Sequence, residues 1–352
     1  VSIAPPRSAH VPPDARRTGG VYPKEPTMRL MSSRLSLLAL LLMATSAVAA
    51  SSTFEPRGTW SASTKRSDPS TLNLQLQQSP HRNMGFTEPL ASFQGLSTTG
   101  GATTFTLPRE AGTFRFDGQF QDGQGAGHFR FEASSAFLKT MATLGYSDIT
   151  PEAQFQLAAT NVTTARIQAL AALGYKQLST EELIQAGIFD VTPEYVRGLS
   201  DAGYPGLPFK ELVAGRIHGV TPQRVKELSS AGFTKLPWNQ LTAMSIHGVT
   251  PDFVKQLREL GFNRTDAEDV IAFRIHGVTP DFVKQLRELG FTDLTQEQLL
   301  AFRIHGVTPA FVKQLRESGY PNVTPDELVA LRIHGIDRVF IRDMSGTAPK
   351  KK

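Results

Sequence analysis

A glycine followed by an aromatic residue recurs along this chain at a fixed interval of 29 residues. The seven pairs are Gly145-Tyr146, Gly174-Tyr175, Gly203-Tyr204, Gly232-Phe233, Gly261-Phe262, Gly290-Phe291 and Gly319-Tyr320. A constant period of this length is typical of stacked helical repeats, in which each unit packs on its neighbours. The sequence therefore predicts an αα-solenoid of about seven 29-residue helix-turn-helix repeats over residues 133–346.

Each repeat has the boundary signals of two short helices. In the copy that starts at Thr279, this residue is a typical N-cap, and Pro280 fits the first helical position, where an N–H is not needed. Gly290 ends the first helix at C′, and the aromatic residue after it folds back onto the helix. Thr295 and Gln298 have the spacing of a capping box at the start of the second helix. The other boundary positions of this copy and of its neighbours are Gly261, Phe262, His276, Gly277, Phe291, His305, Gly306 and Pro309.

The region ahead of the repeats alternates apolar and polar residues with the period of a β-strand. Leu72, Leu74 and Leu76 share one face of such a strand. The stretch "TFRFDGQF" is followed by "QDGQGAG" and "HFRF", and Asp122-Gly123 between them is a hairpin signal. Residues 50–132 are therefore expected to form a small antiparallel domain of four to six strands, which makes the whole chain an α+β multidomain protein.

The first 49 residues have the pattern of an export signal. Met28 opens a short basic segment, an apolar run extends from Leu35 to Met43, and Ala47-Val48-Ala49 matches a cleavage site. We expect residues 1–27 to be a non-native upstream extension, residues 28–49 a signal peptide, and residues 347–352 a basic disordered tail. The mature protein is then exported, periplasmic or secreted, and does not span a membrane.

The net charge of +5 comes mostly from this N-terminal segment. Residues 1–49 hold six basic and two acidic side chains, which leaves 31 basic and 30 acidic ones in the remainder. In the repeats, Lys284 and Arg287 stand among Asp281 and Glu288, so no basic track forms. Because phosphate contacts need an excess of positive charge, we do not expect nucleic-acid binding.

Histidine occurs at positions 218, 247, 276, 305 and 334, again at intervals of 29. Each precedes a C′ glycine, where a helix dipole favours cationic or donor side chains, and Arg216, Arg274, Arg303 and Arg332 fit the same preference. Metal ligands must nearly meet, whereas equivalent residues of stacked repeats lie about 10 Å apart or more. We therefore interpret the histidines as helix-end residues, with a pH-responsive row as the alternative.

The chain lacks the motifs of common enzyme classes. It has no His-Glu-x-x-His, no Gly-x-Ser-x-Gly, no phosphate loop and no cysteine. Arg109-Glu110 is expected to be a surface pair rather than a catalytic dyad. The sequence thus predicts a protein without enzymatic activity, without a metal and without a cofactor.

The polar face of the first helix in each repeat is the predicted interaction surface, because solenoids bind through one elongated face. Its residues are Lys255, Gln256, Arg258, Glu259, Lys284, Gln285, Arg287, Glu288, Lys313 and Arg316.

The motif "RIHGVTPDFVKQLRELGF", with "FTLPREAGTFRFDGQF" and "GAGHFRF" ahead of it, resembles a bacterial architecture. It is similar to the repeat-bearing C-terminal regions associated with the beta-lactam-sensing antirepressor metallopeptidase family, and to stand-alone exported relatives. The membrane helices and zinc-binding motif of that family have no counterpart in this sequence. The resemblance therefore implies only a sensory or protein-interaction module outside the cytoplasm.

The expected function is an exported protein–protein interaction scaffold with an unidentified protein partner. One alternative is an envelope-sensing or regulatory factor that acts on a membrane partner. The other is a β domain that binds a small molecule or glycan, with the solenoid as a spacer.

Overall fold

The computed structural model describes residues 54–65, 68–263 and 265–336, together with Phe340. Within these residues, a six-stranded antiparallel sheet is followed by 14 short α-helices. This confirms the predicted fold class. The strands are β1 (Arg57–Lys65), β2 (Asp68–Ser79), β3 (Arg82–Pro89), β4 (Gly101–Arg109), β5 (Gly112–Gln121) and β6 (Gln124–Ala133).

The sheet has the strand order β3-β2-β1-β6-β5-β4. Two meanders of three strands are joined where β1 pairs with β6, about 70 residues apart along the chain. The period-two pattern places one face inward, as predicted: Leu72, Leu74 and Leu76 are fully buried. Trp60 lies among the phenylalanines of this face, and its indole N–H donates to the carbonyl oxygen of Asp117 at 3.1 Å.

The hairpin between β5 and β6 has the two-residue turn expected from Asp122-Gly123. Both residues have positive φ, 50° and 76°, which matches the twist of the flanking strands. Further along this hairpin Gly118 faces Gly127 across the two strands. A Cβ on Gly127 would lie 1.9 Å from the carbonyl oxygen of Asp117, so the close approach of β5 and β6 requires glycine there.

The helices come in seven pairs and form two layers, because odd-numbered helices pack on odd-numbered ones and even-numbered on even-numbered ones. The odd-numbered helices are α1 (Ser135–Thr143), α3 (Thr164–Ala172), α5 (Pro193–Asp201), α7 (Pro222–Ser230), α9 (Pro251–Glu259), α11 (Pro280–Glu288) and α13 (Pro309–Glu317). The even-numbered helices are α2 (Pro151–Ala159), α4 (Thr180–Ile188), α6 (Phe209–Ile217), α8 (Trp238–Ile246), α10 (Ala267–His276), α12 (Gln296–Ile304) and α14 (Pro325–Ile333).

The helix ends follow the boundary signals of the sequence. Thr279 accepts a hydrogen bond from the third helical N–H of α11, and Thr295 and Gln298 form the reciprocal capping box of α12. At the end of α11, Gly290 has φ +86°, and the N–H of Phe291 reaches the carbonyl oxygen of Leu286 at 3.1 Å. This is the Schellman arrangement predicted for each repeat, and it satisfies carbonyl groups that the helix leaves unpaired.

The first repeat packs directly on the sheet. Phe155 of α2 contacts the rings of Phe114, Phe129 and Phe131, so the apolar face of the sheet covers the N-terminal end of the solenoid. Gln154 is only 2% exposed and donates to the carbonyl oxygens of Ala111 and Ser134 at 2.8 and 2.9 Å. The sheet therefore takes the place of the capping unit that an array of repeats needs at its end.

Arg109 and Glu110 do not form the expected surface pair. The Arg109 side chain is 7% exposed and makes an ion pair with Glu88 on the neighbouring meander. Glu110 instead accepts hydrogen bonds from the backbone N–H and the hydroxyl of Thr164 at the start of α3. Each of the two residues thus connects a pair of elements that are distant in sequence.

Several sequence predictions fall outside the described residues. These are the upstream extension, the signal peptide and the basic tail. They stay predictions.

Candidate interaction surface

A row of exposed isoleucines runs along the repeats, one in each of six consecutive units. The six are Ile188, Ile217, Ile246, Ile275, Ile304 and Ile333, spaced 29 residues apart and 46–58% exposed. We call them the isoleucine ladder. Single exposed apolar residues are ordinary on protein surfaces, whereas a regular row of six at equivalent positions offers an edge on which another surface can dock.

The position of the ladder follows from the way the even-numbered helices end. Ile304 is the last residue of α12, His305 is its C-cap, and Gly306 turns the chain with φ +73°. Phe302, two residues earlier, and Val307, three residues later, are fully buried. The buried pair fixes the last turn so that the isoleucine between them points away from the core, at the edge where one repeat passes to the next.

The ladder isoleucine is present even in a repeat whose adjacent residues differ from those of the later repeats. In the α4 copy, Gly187, Phe189 and Asp190 stand in place of the arginine, histidine and glycine of the later repeats, yet Ile188 is retained. Neither the helix cap nor the arginine contact therefore accounts for the isoleucine. In the first repeat, which packs on the sheet, the matching residue is Ala159, and it is buried.

An arginine precedes four of the ladder residues, Ile217, Ile275, Ile304 and Ile333, and its side chain is tied to the preceding repeat. Arg303 donates from Nε to the carbonyl oxygen of His276 at 3.2 Å, and Arg332 donates to that of His305 at 3.3 Å. Their guanidinium groups also lie over the rings of Phe282 and Phe311, at 4.7 and 5.1 Å. Sequence reasoning assigned these arginines to the carbonyl end of their own helix; their Nε groups instead satisfy a carbonyl 27 residues earlier.

The predicted interaction residues divide into two groups. Eight of the ten predicted side chains are exposed on the odd-numbered helices: Lys255, Gln256, Glu259, Lys284, Gln285, Glu288, Lys313 and Arg316. The arginines serve the contact between repeats: Arg287 and Arg316 donate to the carbonyl oxygens of Leu260 and Leu289 at 2.5 and 2.6 Å, and Arg258 lies 6.0 Å from the Phe233 ring. Arg287 and Arg316 thus cap the preceding odd-numbered helix, whereas Arg258 contacts the Phe233 ring.

The histidines follow the isoleucines directly along the same edge. His218, His247 and His305 are half-buried, and His276 and His334 are exposed. Over the part of the chain that the structure describes, no three His, Asp or Glu side chains converge on a point that could hold a metal ion. The pH-responsive row stays a prediction.

A buried tyrosine lies beneath the same edge. The Tyr195 hydroxyl donates to the carbonyl oxygen of Val220 at 3.0 Å, and the Arg216 guanidinium lies 5.0 Å from its ring. Burial raises the pKa of Tyr195 to about 12, although the nearby Arg216 acts in the opposite direction. The neutral phenol is therefore part of the contact between neighbouring repeats.

The polar face of the sheet forms an open trough of about 1230 Å³. Its lining is rich in amides and hydroxyls from four neighbouring strands, namely Ser61, Ser63, Asn73, Gln75, Gln119, Gln121 and Gln124. Asp122 and His128 are the ionisable residues among those that line it. Such a lining offers hydrogen bonds of both kinds with little charge, which suits a neutral polar ligand.

Fold and surface together place the chain in the class of helical-repeat solenoids with an N-terminal β-sheet. No model of a known protein family matches the sequence, and a comparison with curated proteins finds no match either. Within the described residues, no helix combines the length and the apolar composition that a membrane span requires.

Proposed function

We propose that this chain is an exported, non-enzymatic scaffold that binds a protein partner through its solenoid. The observation that carries the proposal is the isoleucine ladder, since six half-exposed apolar side chains at equivalent positions make a long, regular docking edge. This surface differs from the polar face of the odd-numbered helices that the sequence predicted, and that face stays a prediction. Export is the part of the proposal that rests on residues 28–49 alone.

A paired capture experiment tests the proposal. The bait is the purified chain, and the matched variants are Ile246→Lys with Ile275→Lys, and Gln256→Lys with Gln285→Lys. Lysine is tolerated at a helix C-terminus, and both double variants add the same charge. The ladder variant is expected to lose the protein that the parent chain and the control variant capture. Equal capture by the parent chain and both double variants would show that the ladder does not bind the captured protein.

The bait must keep the sheet. Phe155 of the first repeat is buried against Phe114, Phe129 and Phe131 of the sheet, and removal of the sheet would expose it. A fragment of the repeats alone would then bind nonspecifically through its new apolar end.

A second function is favoured by the trough on the sheet, which fits a neutral, hydroxyl-rich ligand such as a glycan strand. Calorimetric titration of the chain with soluble cell-wall glycan fragments tests this function. Binding should weaken at least about tenfold in Gln75→Ala with Gln124→Ala, since two hydrogen-bonding amides are lost, and should be unchanged in Gln256→Ala. The resemblance to exported sensory modules leaves a regulatory role toward a membrane partner as a further proposal.

A further inference from the structure

The spacing of the isoleucine ladder limits what can dock on it. Each isoleucine belongs to the next repeat of one regular stack, so neighbouring ladder residues are separated by about the packing distance of two helices, roughly 10 Å. A partner must present a row of apolar groups with the same separation, long enough to face several ladder isoleucines. A second copy of the chain meets this condition by construction, because its own ladder has the same spacing.

We propose that two copies of this chain pair through their isoleucine ladders in an antiparallel arrangement. The inference rests on the proposed function, and it identifies the partner as the chain itself. With six ladder residues, a two-fold axis falls between Ile246 and Ile275. Ile246 of one copy then lies opposite Ile275 of the other, Ile217 opposite Ile304, and Ile188 opposite Ile333.

The exposed apolar area is sufficient for such an interface. A half-exposed isoleucine leaves on the order of 80 Å² uncovered, so six leave roughly 500 Å², near the upper end for a patch on a monomeric protein. Two ladders pressed together would bury about 1,000 Å² before the flanking histidines and turns are counted, which reaches the lower bound of specific interfaces. Covering this edge in a dimer removes an apolar surface that the single chain leaves in water.

The antiparallel direction follows from the position of the sheet. The sheet packs on α2, at one end of the stack, and the ladder begins two helices later at Ile188. A parallel pair would bring the two sheets side by side, whereas an antiparallel pair places them at opposite ends. The first repeat has no ladder isoleucine, since the matching Ala159 is buried, and this agrees with an interface that starts at α4.

Sedimentation velocity on the purified chain tests the pairing. We expect a dimer at micromolar concentration for the parent chain and for Gln256→Lys with Gln285→Lys. We expect a monomer for Ile246→Lys with Ile275→Lys, with an unchanged far-ultraviolet circular dichroism spectrum. A monomeric parent chain at about 100 μM, or a ladder variant that still dimerises, would overturn the proposal.

Engineered disulfides test the register, and the chain is suited to them because it contains no cysteine. A mixture of Ile246→Cys chains and Ile275→Cys chains should give a covalent dimer on oxidation. Ile246→Cys chains alone should not form a covalent dimer. The two introduced cysteines would lie about one repeat apart, whereas a disulfide needs Cα atoms within about 7 Å. Efficient self-crosslinking of Ile246→Cys would contradict the antiparallel register.

The two proposals fail in different ways. A monomeric chain that captures a different protein through the ladder would reject self-pairing and leave the scaffold function standing. A monomeric chain whose captured proteins are indifferent to the ladder substitutions would reject both.

Discussion

Arg303 of α12 donates a hydrogen bond to the carbonyl oxygen of His276, the residue that ends α10, while its guanidinium lies 4.7 Å from the centre of the Phe282 ring. One side chain therefore joins an even-numbered helix to the end of the preceding even-numbered helix and to the odd-numbered helix of its own repeat. Arg274 and Arg332 make the same two contacts one repeat earlier and one repeat later. Short helices gain their stability from such contacts between neighbours.

Replacement of Arg303 by methionine should lower the free energy of unfolding by about 1.5–3 kcal/mol, because a charged donor is removed from a helix-end carbonyl. Methionine keeps an apolar stem over the Phe282 ring. The measurement is the urea midpoint followed by circular dichroism. Lys313→Met is the matched control, since this exposed lysine should change the stability by less than about 0.5 kcal/mol. Equal effects of the two substitutions would show that the arginine contact is not stabilising.

Two C′ glycines should respond differently to alanine. Gly290 and Gly277 have φ of +86° and +71°, so alanine costs about 1–2 kcal/mol at either position. A Cβ on Gly277 would also lie 2.6 Å from Nη2 of Arg303, whereas one on Gly290 would lie 4.0 Å from its nearest neighbour, Nη2 of Arg316.

Gly277→Ala should therefore be the more destabilising of the two in thermal unfolding, because it also displaces the arginine. In an Arg303→Met background the two alanine substitutions should become similar. A difference that persists in this background would mean that the arginine is not its cause.

Alanine at Gly127 should disrupt the β5–β6 hairpin. The added methyl group would lie 1.9 Å from a backbone oxygen of the facing strand, which cannot move as a side chain can. We expect a loss of about 1–3 kcal/mol or more, together with increased amide exchange in β5 and β6. Ala126→Ser, at the exposed neighbouring position, is the control and should leave both measurements nearly unchanged.

The chain should lose stability at alkaline pH through Tyr195. Its pKa in the folded protein is about 12, above the ordinary value near 10, so its contribution is complete below pH 10 and is lost as the pH rises toward 12. Tyr195→Phe should flatten this part of the pH profile of unfolding, at the cost of the hydrogen bond to Val220. Tyr320→Phe, at an exposed position, is the control. An identical alkaline decline in Tyr195→Phe would assign the decline to other groups.

Local features of the fold could be predicted because their signals lie within a few residues. Asp122-Gly123 specifies the hairpin, Gly290 the end of α11, and Thr295 with Gln298 the start of α12. The pairing of β1 with β6 could not be predicted in the same way, because no local pattern relates strands so far apart. Arg109 was misread for the same reason, since its partner Glu88 belongs to another strand.

The candidate surface was harder to predict than the fold. Ile304 has the same apolar character as the buried Phe302, and only the direction of the last helical turn separates them. One signal in the sequence could have found it: Ile188 is retained in a repeat that has lost the adjacent arginine, histidine and glycine. Arg287 looked like a surface residue because its acceptor, the carbonyl of Leu260, lies 27 residues away.

Photocrosslinking from the ladder shows directly whether this edge of the solenoid contacts another protein. A photoreactive amino acid is placed at Ile275, or at the exposed Gln285 as the control, in cells that make the full chain. We expect a strong, specific protein adduct from position 275, whether to a second copy or to another protein, and little from position 285. No adduct from position 275, or adducts of equal strength from both positions, would contradict the claim that the isoleucine ladder is a protein-binding surface.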